Sequence, residues 1–164
     1  MKRVVCLILL VLTLSACSGQ EKIEPRLSGI SFVAEISYYN EVYSAECTID
    51  NEDTLRAVIK IPQTLEGFTL TVNKEGITAE YLGIKYRPTD GNMPFASVLE
   101  QAYKGLSLAK TGSAQKKDKT YMLTAGEGAE KVNLSLTEGG LPILLELPDE
   151  RFFVEFYNVT VLNN

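Results

Sequence analysis

The 164-residue chain contains no histidine, and its three cysteines are Cys6, Cys17 and Cys47. The absence of an imidazole removes the usual general base, the Ser-His-Asp and Cys-His arrangements, and most zinc sites. Two short motifs imitate an acyl-transfer site. Ser107-Leu108-Ala109-Lys110 has the S-x-x-K spacing of penicillin-binding enzymes, and Lys110-Thr111-Gly112 has their K-T-G. Those enzymes need two different lysines, whereas here both motifs share Lys110. Ser113-Ala114-Gln115-Lys116 fits S-x-x-K again, so the match is cheap. Gly126-Glu127-Gly128 lacks the third glycine of a dinucleotide fingerprint and reads as a hairpin turn. Asp50, Glu52 and Asp53 make a small acidic loop, a weak calcium candidate without the ordered loop of an EF-hand. No catalytic group, cofactor or metal site is assigned, and the chain is expected not to be an enzyme.

The remaining reactive group is Cys17. Lys2 and Arg3 open the chain, an apolar run extends from Val4 through Leu12, and the sequence turns polar after Cys17. A positive end, an apolar middle and small residues at the cut make a secretory signal. The run is too short to cross a bilayer, which takes about 20 apolar residues. Leu14-Ser15-Ala16-Cys17 resembles the lipobox of bacterial lipoproteins. That resemblance implies diacylation of the Cys17 thiol and cleavage between Ala16 and Cys17. The plainer reading is an ordinary signal peptide that happens to contain a cysteine. Each acyl CH₂ buried is worth about 0.8 kcal/mol, so two or three chains anchor stably. The expected organisation is a signal peptide at 1–16, a lipidated cysteine and tether at 17–28, and one domain at 29–164. The expected location is outside the cytoplasm, lipid-anchored to the cell membrane, or to an outer membrane where one exists.

Removing the signal leaves 148 residues with 14 basic and 21 acidic side chains, a formal charge of −7. Nucleic-acid binding needs clustered Lys and Arg, so this balance argues against it. Cys47 is then the only thiol in the domain, and no internal disulfide forms. It sits on the apolar side of an alternating stretch, where a buried, inert cysteine is expected.

The elements that must position any site follow from period-2 alternation. Ile30, Phe32, Ala34, Ile36 and Tyr38 share one strand face. Tyr43, Ala45, Cys47 and Ile49 make a second, and Leu55, Ala57, Ile59 and Ile61 a third. Further strands are expected at Phe68–Val72, Ile77–Tyr81, Thr120–Ala125, Lys131–Leu136, Ile143–Leu147 and Arg151–Leu162, with Ile84–Arg87 after Gly83 as an optional short addition. Pro94 suits a helix start, and Phe95, Val98, Leu99, Ala102, Tyr103 and Leu106 recur at helical spacing. Gly105 marks the expected helix end, and residues 107–119 read as a polar connection. The outcome is a mainly β domain: an incomplete antiparallel barrel or curved sheet of about nine strands packed on a helix.

This order of elements resembles the LolA/LolB-type lipoprotein-carrier fold. The residues carrying the resemblance are Phe32-Val33-Ala34-Glu35-Ile36, Ala57-Val58-Ile59-Lys60-Ile61-Pro62, Gly140-Leu141-Pro142-Ile143 and Val154-Glu155-Phe156-Tyr157-Asn158. Carriers of this type begin with a helix, and residues 18–29 are too short and polar for one. The resemblance implies binding or transfer of a hydrophobic ligand, a lipid or an acylated protein, at the envelope. Phe95, Val98, Leu99 and Ala102 are the candidate apolar-ligand residues. They fit a pocket between helix and sheet, or a filled core. The alternative function is a non-catalytic interaction module that binds an envelope protein, with Tyr38, Tyr39, Tyr43, Tyr81, Tyr86 and Tyr157 available as its face.

Overall fold

The computed structural model describes residues 23–88 and 93–162. The expected signal peptide, Cys17 and residues 18–22 of the expected tether lie outside the described residues.

Among the described residues, six strands precede one α-helix and five follow it. The first group is β1 (Ile30–Tyr38), β2 (Glu41–Ile49), β3 (Leu55–Ile61), β4 (Thr69–Asn73), β5 (Gly76–Tyr81) and β6 (Ile84–Tyr86). The helix α1 (Pro94–Ala109) comes next. It is followed by β7 (Ser113–Lys117), β8 (Thr120–Ala125), β9 (Val132–Thr137), β10 (Pro142–Leu147) and β11 (Phe152–Val161). All eleven join one open, curled sheet in the order β6-β5-β4-β3-β2-β1-β11-β10-β9-β8-β7. Every neighbouring pair is antiparallel. The fold is mainly β. Two meanders meet where β1 pairs with β11, and α1 carries the chain from one sheet edge to the other.

The alternation has the expected physical basis. Ile30, Phe32, Ala34 and Ile36 of β1 are buried, as are Phe152, Val154 and Phe156 of β11. Phe32 and Phe156 meet across the two strands with ring centroids 5.0 Å apart. Onto this covered face α1 lays Phe95, Ala96, Val98, Leu99, Ala102 and Leu106. Each large aliphatic buried in this way contributes about 1.5–3 kcal/mol. Sheet and helix hold one another.

Three features depart from the sequence pattern. First, α1 does not stop at Gly105 but runs to Ala109. Gly105 is buried, and a Cβ there would lie 3.2 Å from Leu145 Cδ2 and Leu147 Cδ1. The glycine is thus a close-approach residue for helix against sheet, not a stop. Second, Ser113–Lys117 is not a loose connection but the edge strand β7, paired with β8. Only Ala114 packs against the core, so its sequence carries no apolar alternation, and its lysines suit an edge that must not pair further. Third, Ile23–Ser28 lie against the domain. Leu27 is fully buried, and the Arg26 amide donates to the Gly140 carbonyl at 2.9 Å. This strap follows the end of β11, where the Leu162 amide donates to Gly29 O.

Candidate functional site

The best apolar opening lies where three elements converge. The start of β2 delivers Glu41, Val42 and Tyr43, and the segment after β3 delivers Pro62 and Leu65. The start of α1 adds Met93, Pro94 and Phe95. Together they line a pocket of about 490 Å³. Local chemistry explains each position. Pro94 opens the helix at a position where its missing N–H is not needed. Alternation turns Tyr43 inward while leaving Val42 exposed. Pro62, joined to Ile61 by a cis bond, ends β3 and starts a short helical turn that carries Leu65. Phe95 and Tyr43 form the floor, their ring centroids 4.8 Å apart.

One polar pair sits in this apolar lining. The Tyr43 hydroxyl donates to the Glu41 carboxylate. Burial first, then the carboxylate's hydrogen bond and charge, push the Tyr43 pKa up to about 12. The phenol therefore stays protonated at physiological pH and presents a fixed donor–acceptor pair beside an apolar floor.

The four helix residues singled out by spacing are brought together. Phe95, Val98, Leu99 and Ala102 all face the sheet, none more than 3% exposed. Phe95 belongs both to this core and to the pocket, whereas Val98, Leu99 and Ala102 lie within the buried cluster behind it. Sequence spacing thus located the face but not the opening. Val42, Pro62, Leu65 and Met93 come from turns and element ends that carry no period.

A second pocket, of about 400 Å³, opens between the outer side of α1 and the ends of β9 and β10. Its lining includes Glu100, Gln101, Lys104, Glu130 and Glu150, with Lys104 paired to Glu100 at 2.9 Å. That mixed, charged lining suits solvent better than an apolar ligand. The acidic loop is internally spent. Asp50 Oδ1 accepts the amides of Glu52 and Thr54, and Asp53 pairs with Lys110. Among the described residues no group of three or more Cys, Asp and Glu is placed to hold a metal ion. Cys47 is buried, and desolvation pushes its thiol up to about 12.

No protein-family model matches the chain. No curated protein matches it either. Among solved structures it is similar to the crystal structure of a LolA superfamily protein from Nitrosomonas europaea. The identity is 8%, the match covers 82% of this chain and 85% of that one, and the TM-score is 0.36.

The six tyrosines divide by place. Tyr38, Tyr39 and Tyr43 lie at the β1–β2 connection, and Tyr81 and Tyr86 in the β5–β6 hairpin. Tyr157 stands apart on the outer face, opposite Val33. Tyr81 stacks on Phe68 with centroids 4.3 Å apart, and the Tyr86 hydroxyl reaches Met93 Sδ at 3.7 Å. The β5–β6 hairpin is thereby linked to the pocket wall.

Proposed function

We propose that this chain is an envelope lipoprotein, held by acyl groups on Cys17, that binds a hydrophobic ligand without catalysing a reaction. The ligand class is a lipid or the acyl part of an acylated protein. The observation that carries this reading is the 490 Å³ pocket, lined by Val42, Tyr43, Pro62, Leu65, Met93, Pro94 and Phe95 with one charged residue. Small-molecule sites fall at about 300–1,000 Å³ and are mostly apolar with few placed polar groups. An acyl chain would lie along the Phe95 and Leu65 side chains, and the Tyr43–Glu41 pair would meet its polar end.

Two measurements test this. Organic extraction of the purified protein followed by mass spectrometry reads any bound lipid, and titration with a fluorescent fatty acid reads the site. Met93→Glu puts a charge in the apolar wall and is expected to weaken the probe about tenfold, equivalent to about 1.4 kcal/mol. A ligand-free protein that also ignores the probe overturns the binding claim. The anchor is tested separately: Cys17→Ala is expected to abolish acyl labelling and membrane retention, and retention equal to the parent's overturns it.

One observation favours a different reading, an interaction module for an envelope protein. Phe153 and Tyr157 on β11 stand exposed on the outer face of the sheet. Capture of one defined envelope protein, lost in Phe153→Ser with Tyr157→Ser while fatty-acid binding never occurs, would replace the ligand reading.

A further inference from the structure

The pocket at Tyr43 and Phe95 is poor in groups that could meet an anion. No lysine or arginine lines it. Lys60 on β3 pairs with Glu46 at 3.2 Å, and Lys85 on β6 pairs with Glu80 at 3.3 Å. Arg87, which follows β6, is not part of the wall. Backbone donors are scarce as well. Pro62 and Pro94 have no N–H, and the Leu65 amide is taken by the Pro62 carbonyl at 2.9 Å.

The polar side chains that do line it accept. The Tyr43 hydroxyl has one proton and donates it to the Glu41 carboxylate. Toward a ligand, the phenol oxygen and the carboxylate oxygens are therefore acceptors only. Tyr43 is buried and Glu41 exposed, so the pair runs from the floor of the pocket to its mouth. Phe95 and Tyr43 add ring faces, whose π-electrons attract cations. The start of α1 works the other way, since a helix N-terminus favours negative charge. Its first residue, Pro94, has no amide to give, and the Ala96 amide is bonded to Met93 O at 2.9 Å. The positive end of a helix amounts to about half a charge, against the full negative charge of Glu41. The carboxylate prevails.

We propose that this pocket selects amphiphiles by their polar end: it takes a chain ending in a protonated amine before a neutral alcohol, and a free carboxylate last. The inference rests on the ligand reading of the same pocket and narrows its ligand class. An ammonium group brings three donors and no acceptor, which matches the free oxygens of Glu41 and Tyr43. A hydroxyl brings one donor. A carboxylate brings none, and sets a second negative charge beside the first. Glu41 is exposed, so water and salt screen these charges, and the discrimination is several-fold rather than absolute. A fatty acid still enters through its chain, as the weakest of the three.

Decylamine, decanol and decanoate share one chain and differ in the head, so they test this directly. Full-length protein is titrated with each by calorimetry at neutral pH, below the concentration at which the compound aggregates. The amine is expected to bind several-fold more tightly than the alcohol, and the alcohol several-fold more tightly than the carboxylate. Glu41→Gln keeps an acceptor for the Tyr43 hydroxyl and removes the charge. It is expected to weaken decylamine several-fold, strengthen decanoate several-fold and leave decanol unchanged, a pattern that misfolding cannot produce. Glu75→Gln, on the β4–β5 turn and outside the pocket lining, makes the same change in net charge and is expected to alter none of the three. The proposal is overturned if decanoate binds as tightly as decylamine, if Glu41→Gln leaves the order intact, or if Glu75→Gln reproduces its effect. Equal uptake of all three compounds removes the selectivity and leaves the ligand reading standing. Uptake of none sinks both.

Discussion

At the scale of a single residue, Cys47 shows how burial decides reactivity. The thiol sits on the inner side of β2, packed in the core, and desolvation pushes its pKa up to about 12. The thiolate is the reactive form, so alkylating reagents near neutral pH should leave the folded protein unmodified and label it fully once urea is added. Stability carries the same signature. Below the ordinary thiol range, folded and unfolded chains both hold the proton, and stability is flat with pH. Above it the unfolded chain releases its proton first, so stability falls as pH rises toward about 12. Tyr43 adds to the fall above its ordinary 10.0, since it too is raised to about 12 in the folded state. Urea midpoints should therefore be level at neutral pH and drop progressively above about pH 9. Cys47→Ala should delay the onset to the tyrosine range. A midpoint that rises with alkali would contradict the buried placement of both groups.

At the scale of elements, the strands with one covered face were legible because burial imposes a period. Ile30 to Ile36, Tyr43 to Ile49 and Phe152 to Phe156 alternate because each second residue meets the helix or its neighbours. β7 was not legible, for the opposite reason: an edge strand held mainly by its ladder, with Ala114 alone against the core, leaves no apolar period at Ser113–Lys117. The helix face was readable in Phe95, Val98, Leu99 and Ala102. Its end was not, because the sequence cannot separate a glycine that stops a helix from one that lets a helix approach a sheet. The pocket was half legible, through Phe95, while its other walls depend on where turns fold back. Gly105 gives this a test. Gly105→Ala adds one methyl, 3.2 Å from the flexible ends of Leu145 and Leu147, against a helix-propensity gain of about 1 kcal/mol. It should fall near neutral. Gly105→Val adds two further methyls into the same gap, and overpacking of about 1–3 kcal/mol should prevail. Urea denaturation of the pair checks this. A Val variant as stable as the parent would mean that the helix does not press on β10 at this point.

At the scale of the whole molecule, the open sheet leaves its core to be closed by elements that are not strands. The helix does most of this, and the strap at Ile23–Ser28 completes it by seating Leu27 in the buried core, with Arg26 bonded to Gly140. Burying that leucine is worth about 1.5–3 kcal/mol, a noticeable share of a domain's net stability. Were Cys17 acylated as proposed, the strap would join the anchor to the domain, and a pull on the anchor would reach Leu27. Gly140 controls its seating. Its φ is +80°, and a Cβ there would stand 2.5 Å from the Glu24 carbonyl oxygen, a backbone atom that cannot swing aside. Gly76 provides the control, with φ of +117° and nothing within 4 Å of its would-be Cβ. Gly140→Ala and Gly76→Ala share the cost of a left-handed alanine, about 1–2 kcal/mol. Only Gly140→Ala should also unseat the strap. Hydrogen exchange should then show lost protection at the Arg26 amide, whose acceptor is Gly140 O, with the β2–β3 ladder unchanged. Fatty-acid affinity should hold, because no residue of the strap lines the pocket at Tyr43 and Phe95. Equal destabilisation by the two substitutions, with Arg26 still protected, would show that the strap takes no part in closing the core.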